Sequence, residues 1–176
     1  MSPGYEVQQA QATDAAWMQR GFSAMGWSKP AGYFATCCRL QGEGALLLLV
    51  ARQADAYVGH VKVVWEPAYS YFRERAIPEI QDLNVLPGHR RRGVGSLLLD
   101  EAERLCATRA AWAGIGVGLY ADYGPAQRLY VRRGYVPDGQ GLQSADRPVP
   151  AGYTVRVDDD LVLCLVKPLW PDAPAL

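Results

Sequence analysis

From Glu79 to Cys106 the chain reads as a strand, a basic turn and an amphipathic helix, and this order limits the folds open to it. Glu79–Leu86 reads as a strand and is ended by Pro87-Gly88. Arg90-Arg91-Arg92-Gly93-Val94-Gly95-Ser96 follows. Val94, Leu97, Leu98, Ala102, Leu105 and Cys106 then recur at helical spacing, with Asp100, Glu101, Glu103 and Arg104 on the other side. A helix N-terminus offers unpaired backbone N–H groups and about half a positive charge. Gly93 and Gly95 remove side chains where backbone must approach a ligand, and the arginines add charge. This is the physics of a phosphate site. A basic surface turn that merely starts a helix has the same residues. No Gly-Lys-Ser/Thr follows, so the segment is not a Walker loop, and the dinucleotide pattern G-x-G-x-x-G is absent.

The flanking sequence extends the alternation. Tyr5–Gln9 reads as a first strand, and Thr13 or Asp14 can cap a helix through Ala15–Met18. A second helix covers Tyr33–Leu40. Ala45–Arg52 and Tyr57–Trp65 read as strands joined by a turn at Gln53–Ala56. Glu66–Arg75 reads as a loop with exposed aromatics. Ile115–Tyr120 is a strand, and Gly124-Pro125 opens a helix with Ala126, Leu129 and Tyr130 on its inner face and Gly134 as its stop. Tyr135 opens a further strand, and Leu161–Val166 closes the sheet after a polar loop. The order predicts an α/β (α+β) fold, a mixed sheet with helices packed on it.

Composition narrows the function classes. The 176 residues carry 18 Lys and Arg against 18 Asp and Glu, so no long-range field favours nucleic acid or an acidic membrane. The longest apolar run, Ala45–Ala51, is far shorter than the ~20 residues that span a bilayer. The opening MSPGYEVQQAQ lacks the basic start and apolar stretch of a signal peptide, so a cytoplasmic location is expected. Cys37, Cys38, Cys106 and Cys164 form no C-x-x-C pair and have no His at ligand spacing, which argues against zinc or another metal. Cys106 and Cys164 read as small buried hydrophobes, and Cys37-Cys38 as an ordinary reduced pair, with a redox pair as the weaker alternative.

Arg90-x-x-Gly93-x-Gly95 resembles the Arg/Gln-x-x-Gly-x-Gly/Ala signature of the GNAT superfamily of acyl-CoA N-acyltransferases. Asp82-Leu83-Asn84-Val85 with Pro87, and the helix containing Glu103, resemble what flanks that signature. Pro125 to Tyr135 looks like the family's later motif, an Ala-x-x-Leu-Tyr helix followed by Gly-Phe/Tyr, at a typical distance. The resemblance implies one N-acetyltransferase domain over 5–168 with a tail at 169–176. It implies a mostly antiparallel central sheet, splayed between the strands near 80–86 and 115–120. It implies acetyl-CoA as co-substrate, held by the backbone from Arg90, Arg91, Arg92, Gly93, Val94 and Gly95 to Ser96, with Leu83, Val85, Tyr123 and Ala126 contributing. Tyr123 stands where the family often has Asn.

Acyl transfer to an amine requires loss of a proton from a group whose pKa is about 10.4, a donor for the thioester oxygen, and a proton for the leaving thiolate. Glu79 is the candidate base, by a spacing to Arg90 similar to that in histone-modifying members; an exposed strand-edge carboxylate is the bland alternative. Glu79, Gln81, Leu83 and Val85 alternate onto one strand face, which turns Asp82, the reserve base, to the other. The resemblance places Tyr130 beside the CoA sulfur as candidate acid, whereas periodicity alone makes it a core aromatic. It also makes the Val85 N–H the thioester oxygen donor. His60 reads as structural and His89 as solvent-exposed.

Acceptor choice in the superfamily lies in the segments matching Gly26–Tyr33, Tyr69–Arg75 and Gly139–Asp160. These carry Trp27, Tyr33, Tyr69, Tyr71, Phe72 and Asp158-Asp159-Asp160, a set suited to a cationic amine, although the acidic run also reads as a solvated turn. The expected reaction is acetylation of a primary amine of a small molecule or peptide by direct attack on the thioester. Acetylation of a protein lysine or N-terminus, and a non-catalytic acyl-CoA sensor, are the alternatives. The expected partner is the amine, without nucleic acid or membrane; a homodimer is allowed.

Overall fold

A computed structural model describes residues 4–176; Met1–Pro3, within the stretch read as lacking a signal peptide, lie outside the described residues. The chain forms two compact units, Met1–Val64 with Gln81–Leu105, and Trp65–Ile80 with Cys106–Leu176.

In the first unit, β1 (Tyr5–Gln9), β2 (Leu46–Gln53), β3 (Ala56–Val64) and β4 (Glu79–Val85, from Gln81 onward) are neighbours in that order. β1–β2 and β2–β3 are antiparallel. The turn at Ala54-Asp55 places Ala54 at φ 50°, and Arg52 Nε donates to the Ala54 carbonyl. Helices α1 (Ala15–Ser23) and α2 (Tyr33–Gly42) bury Met18, Phe22, Phe34 and Cys37 in one cluster with Leu48 and Val50 of β2. α4 (Val94–Cys106) starts at the end of the basic turn.

α4 departs from its expected stripe. Leu97 is 39% exposed, whereas Leu99 is fully buried with Leu98, Ala102 and Cys106. Glu103, expected on the polar side, is buried as well. Three consecutive leucines fit two neighbouring helical faces, and spacing alone does not decide which one turns inward.

In the second unit, β4 (Glu79 and Ile80) is followed by β5 (Trp112–Gly118), β8 (Leu161–Pro168), β6 (Val136–Ser144) and β7 (Arg147–Pro148). β4 and β5 are parallel through Glu79↔Gly114 and Ile80↔Ile115, while β5 and β8 are antiparallel over seven pairs. The residues expected to form a loop at 66–75 instead contain α3 (Ser70–Glu74), with Tyr69 and Phe72 buried. The aromatic run folds because Phe72 packs with Tyr69, Ile77, Cys164 and Val166. β6 also runs into the stretch read as a polar loop; Gly139 and Gly141 have positive φ where its register with β8 breaks. α5 is Gly124–Arg132. The final residues are tied down, since Trp112 Nε1 donates to the Pro174 carbonyl and Trp170 Nε1 to that of Ala107. The architecture is mixed α/β, with a mostly antiparallel sheet flanked by helices.

Candidate active site

The first unit holds the basic turn. Pro87–His89 form a single 3-10 turn, Arg91 sits at φ 58° and Gly93 at φ 88°, and α4 begins at Val94. A Cβ on Gly93 would meet nothing within 4 Å, so glycine is required there by the left-handed backbone, not by crowding. Arg90 is committed locally: its Nε donates to the Val85 carbonyl at 3.0 Å and its guanidinium lies 5.3 Å from the Trp27 ring centroid. Arg91, Arg92 and Gly93 are exposed, and Gly95 and Ser96 half-buried. A left-handed turn delivering backbone amides and two exposed guanidinium groups to the start of a 13-residue helix fits an anion such as a pyrophosphate. His89, expected in solvent, is half-buried, with Nδ1 3.2 Å from the Tyr5 hydroxyl.

The same unit contains a polar network that the sequence reading missed, centred on Asp82. Asp82 has φ 56°, a conformation L-residues adopt at a cost of about 1–2 kcal/mol. The simple alternation expected along β4 is therefore interrupted at Asp82. Its carboxylate accepts from Lys29 Nζ (2.6 Å) and Asn84 Nδ2 (2.7 Å) at Oδ1, and from the Tyr33 hydroxyl (2.6 Å) at Oδ2. His60 Nε2 lies 3.0 Å from Oδ2, and the Tyr57 hydroxyl lies 2.5 Å from His60 Nδ1. Burial opposes the Asp82 charge, but the hydrogen bond and electrostatic attraction of His60, with the hydrogen bonds of Lys29 and Tyr33, outweigh it and hold the carboxyl well below its ordinary value. A carboxylate so engaged is a poor proton acceptor, which removes Asp82 as a reserve base. Burial, then the neighbouring Asp82 charge, push the Tyr33 and Tyr57 hydroxyls up, so both stay protonated.

The second unit holds Glu79, Tyr123, Ala126 and Tyr130. Glu79 is buried, not at an exposed edge. A Cβ on Gly116 of β5 would lie 3.7 Å from its Oε1, and its charge, after burial, helps push the Cys164 thiol up. Tyr130 is buried on α5 with its ring 6.0 Å from that of Tyr135, and desolvation pushes its phenol up. Tyr123 crosses Gly118 so closely that a Cβ there would meet its ring at 2.5 Å. Gln127 Nε2 donates to the Gly118 carbonyl at 2.8 Å, and Ala126 is half-buried beside it in sequence. The Tyr120 and Tyr123 hydroxyls both donate to Asp159 Oδ1, so the acidic run is partly engaged and not a purely solvated turn.

The sequence of residues 44–137, just over half of the chain, matches the family model described as an acetyltransferase (GNAT) domain. The chain belongs to the GNAT family of acetyltransferases. It is accordingly an N-acetyltransferase. Similar solved structures agree on the fold. A GNAT-family protein from Desulfovibrio desulfuricans has a TM-score of 0.70 at 17% identity, with 95% of this chain and 100% of that one covered. A protein from Salmonella typhimurium, solved with its cofactor acetyl-CoA, has a TM-score of 0.67 at 15% identity, with 98% of both chains covered. A chimeric spermidine N-acetyltransferase derived in part from Vibrio cholerae has a TM-score of 0.64 at 14% identity, covering 94% of this chain and 95% of that one. No curated protein sequence gives a significant match.

Among the described residues no helix is long and apolar enough to cross a membrane, and no group of three His, Cys, Asp or Glu could hold a metal ion.

Proposed function

We propose that this GNAT acetyltransferase transfers the acetyl group of acetyl-CoA to a primary amine of a small molecule or peptide. Acetyl-CoA would supply the activated thioester. The turn from Arg90 to Ser96 would hold its pyrophosphate through backbone N–H groups and the exposed Arg91 and Arg92, with Leu83, Val85, Tyr123 and Ala126 along the remainder. The Val85 N–H would face the thioester oxygen.

The observation that carries the amine reading is the burial of Glu79 on β4, beside Gly114 and Gly116 of β5. A carboxylate removed from water takes a proton from an ammonium more readily than one at an exposed edge. Tyr130 would hold the proton offered to the leaving sulfur. Its raised pKa keeps that proton on the phenol, and a thiol formed in the same dry surroundings is itself made less acidic by desolvation.

The reading is tested by thiol release from acetyl-CoA against polyamines, aminoglycosides, amino acids and short peptides, beside calorimetric titration of CoA. Turnover with one amine class is expected, and Tyr130→Phe should lower kcat by about 10²-fold with CoA affinity unchanged. CoA binding without turnover of any of these amines would overturn the small-molecule and peptide reading in favour of another acceptor; no CoA binding would overturn the cradle.

A further inference from the structure

The Lys29 ammonium occupies a site built for a cation. Nζ bonds Asp82 Oδ1 at 2.6 Å and lies 4.9 Å from the Tyr33 ring centroid and 5.6 Å from that of Phe22. A carboxylate with two aromatic faces is a general solution for binding an alkylammonium, because the ring quadrupoles and the anion attract the same charge. Lys29 comes from the connection between α1 and α2, with exposed neighbours Ser28 and Pro30, and its side chain keeps 22% of its surface in solvent against 12% for Asp82. The cage is therefore reachable. Behind it the frame is fixed: Tyr33, His60 and Asn84 hold Asp82 from other directions, and Lys62 Nζ reaches the Tyr33 hydroxyl at 3.5 Å.

We propose that the cage formed by Asp82, Tyr33 and Phe22 is an anchor for the second cation of a diamine acceptor, with Lys29 as an internal stand-in that the acceptor displaces. This rests on the amine-acetyltransferase reading above. Exchange replaces one ammonium by another, so the Asp82 carboxylate keeps a cationic partner throughout. The anchored nitrogen is not the one acetylated. Asp82 is held ionised, a partner that keeps a bound amine protonated, and an ammonium has no lone pair with which to attack. An acceptor using this cage must carry another amine to be acetylated, which selects diamines over monoamines.

The test is calorimetric binding of 1,4-diaminobutane and n-butylammonium without acetyl-CoA, to wild type, Lys29→Ala and Asp82→Asn, followed by turnover of each amine. Removing the stand-in is expected to tighten binding of both amines by about tenfold or more, and Asp82→Asn to abolish it. In turnover, the KM for 1,4-diaminobutane should fall by a similar factor in Lys29→Ala with kcat little changed, while n-butylamine binds but is a poor acceptor. Lys29→Met, which keeps the aliphatic stem, replaces Lys29→Ala if the latter folds poorly. Binding that is unchanged or weaker on loss of Lys29 would overturn the cage as an acceptor site, and n-butylamine acetylated as well as the diamine would overturn its role as anchor for a non-reacting cation. The predicted binding order without turnover of either amine would sustain the cage as an ammonium site and overturn the small-amine acceptor reading on which the anchor role rests.

Discussion

The Tyr57 hydroxyl lies 2.5 Å from His60 Nδ1, although the two residues are three apart on one strand. An odd separation puts side chains on opposite faces of a regular strand. The register explains the meeting: Ala51 of β2 is opposite Gly59, but Arg52 is opposite Tyr57, so Val58 is an extra residue and β3 carries a bulge. Tyr57→Phe removes one buried hydrogen bond and should cost about 1 kcal/mol. His60→Ala leaves Tyr57 and Asp82 short of a partner and opens a cavity among Phe22 and Phe34, so about 3 kcal/mol or more is expected. Urea denaturation of both variants gives the comparison; equal costs would mean that His60 does not link the two.

Acid should find the same network. Asp82 is lowered in the folded protein, so its stabilising contribution is fully present above the ordinary carboxylate value near 3.8 and is lost as pH falls further, towards the depressed folded value. The groups facing it are His60, Lys29 and Tyr33, with Tyr57 and Lys62 behind them. Wild type should therefore lose stability steeply between about pH 4 and pH 2, and Asp82→Asn, weaker at neutral pH, should lose less over the same interval. Parallel slopes in urea titrations at a series of pH values would show that other carboxylates carry the acid response.

A third expectation concerns the second unit. A Cβ on Gly114 would lie 2.3 Å from Phe72 Cε2, with the ring itself fully buried. Gly114→Ala should then destabilise by at least the 1–3 kcal/mol or so typical of overpacking, and Phe72→Leu in the same chain should recover part of the loss. Calorimetric melting of the single and double variants reads the coupling; additive losses would mean that the ring is not what the methyl meets.

The contrast between Gly93 and Asp82 shows what was legible in sequence. The turn at Gly93 was readable because strand, glycine, arginine and helix signals lie within a dozen contiguous residues, and local chemistry determines local backbone. β1 to β3 and the α5 helix were readable for the same reason. The Asp82 network was not, since Lys29, Tyr33, Tyr57, His60 and Asp82 come from four separate segments and meet through a bulge and a left-handed residue. His60 did read as structural, but nothing in Tyr57-Val58-Gly59-His60 announces the extra residue that turns the two side chains to one side. The helix at Ser70–Glu74 was hidden differently: its aromatics looked exposed because their burial depends on Cys164 and Val166, far along the chain.

The turn itself offers a test that separates backbone strain from ligand electrostatics. Gly93 has φ 88° and open space where a Cβ would be, so Gly93→Ala and Gly93→Glu pay the same conformational cost, about 1–2 kcal/mol, without a clash. Only the glutamate adds negative charge, at the mouth of a helix whose N-terminus favours anions. If the turn holds the CoA pyrophosphate, Gly93→Ala should weaken CoA binding by less than about tenfold, and Gly93→Glu by about a hundredfold or more, with both variants melting at the same temperature. Calorimetric titration at two salt concentrations should also show the difference shrinking as ionic strength rises, because the repulsion is screened. Equal loss of affinity in both variants would assign the glycine to backbone shape alone and place the anion elsewhere.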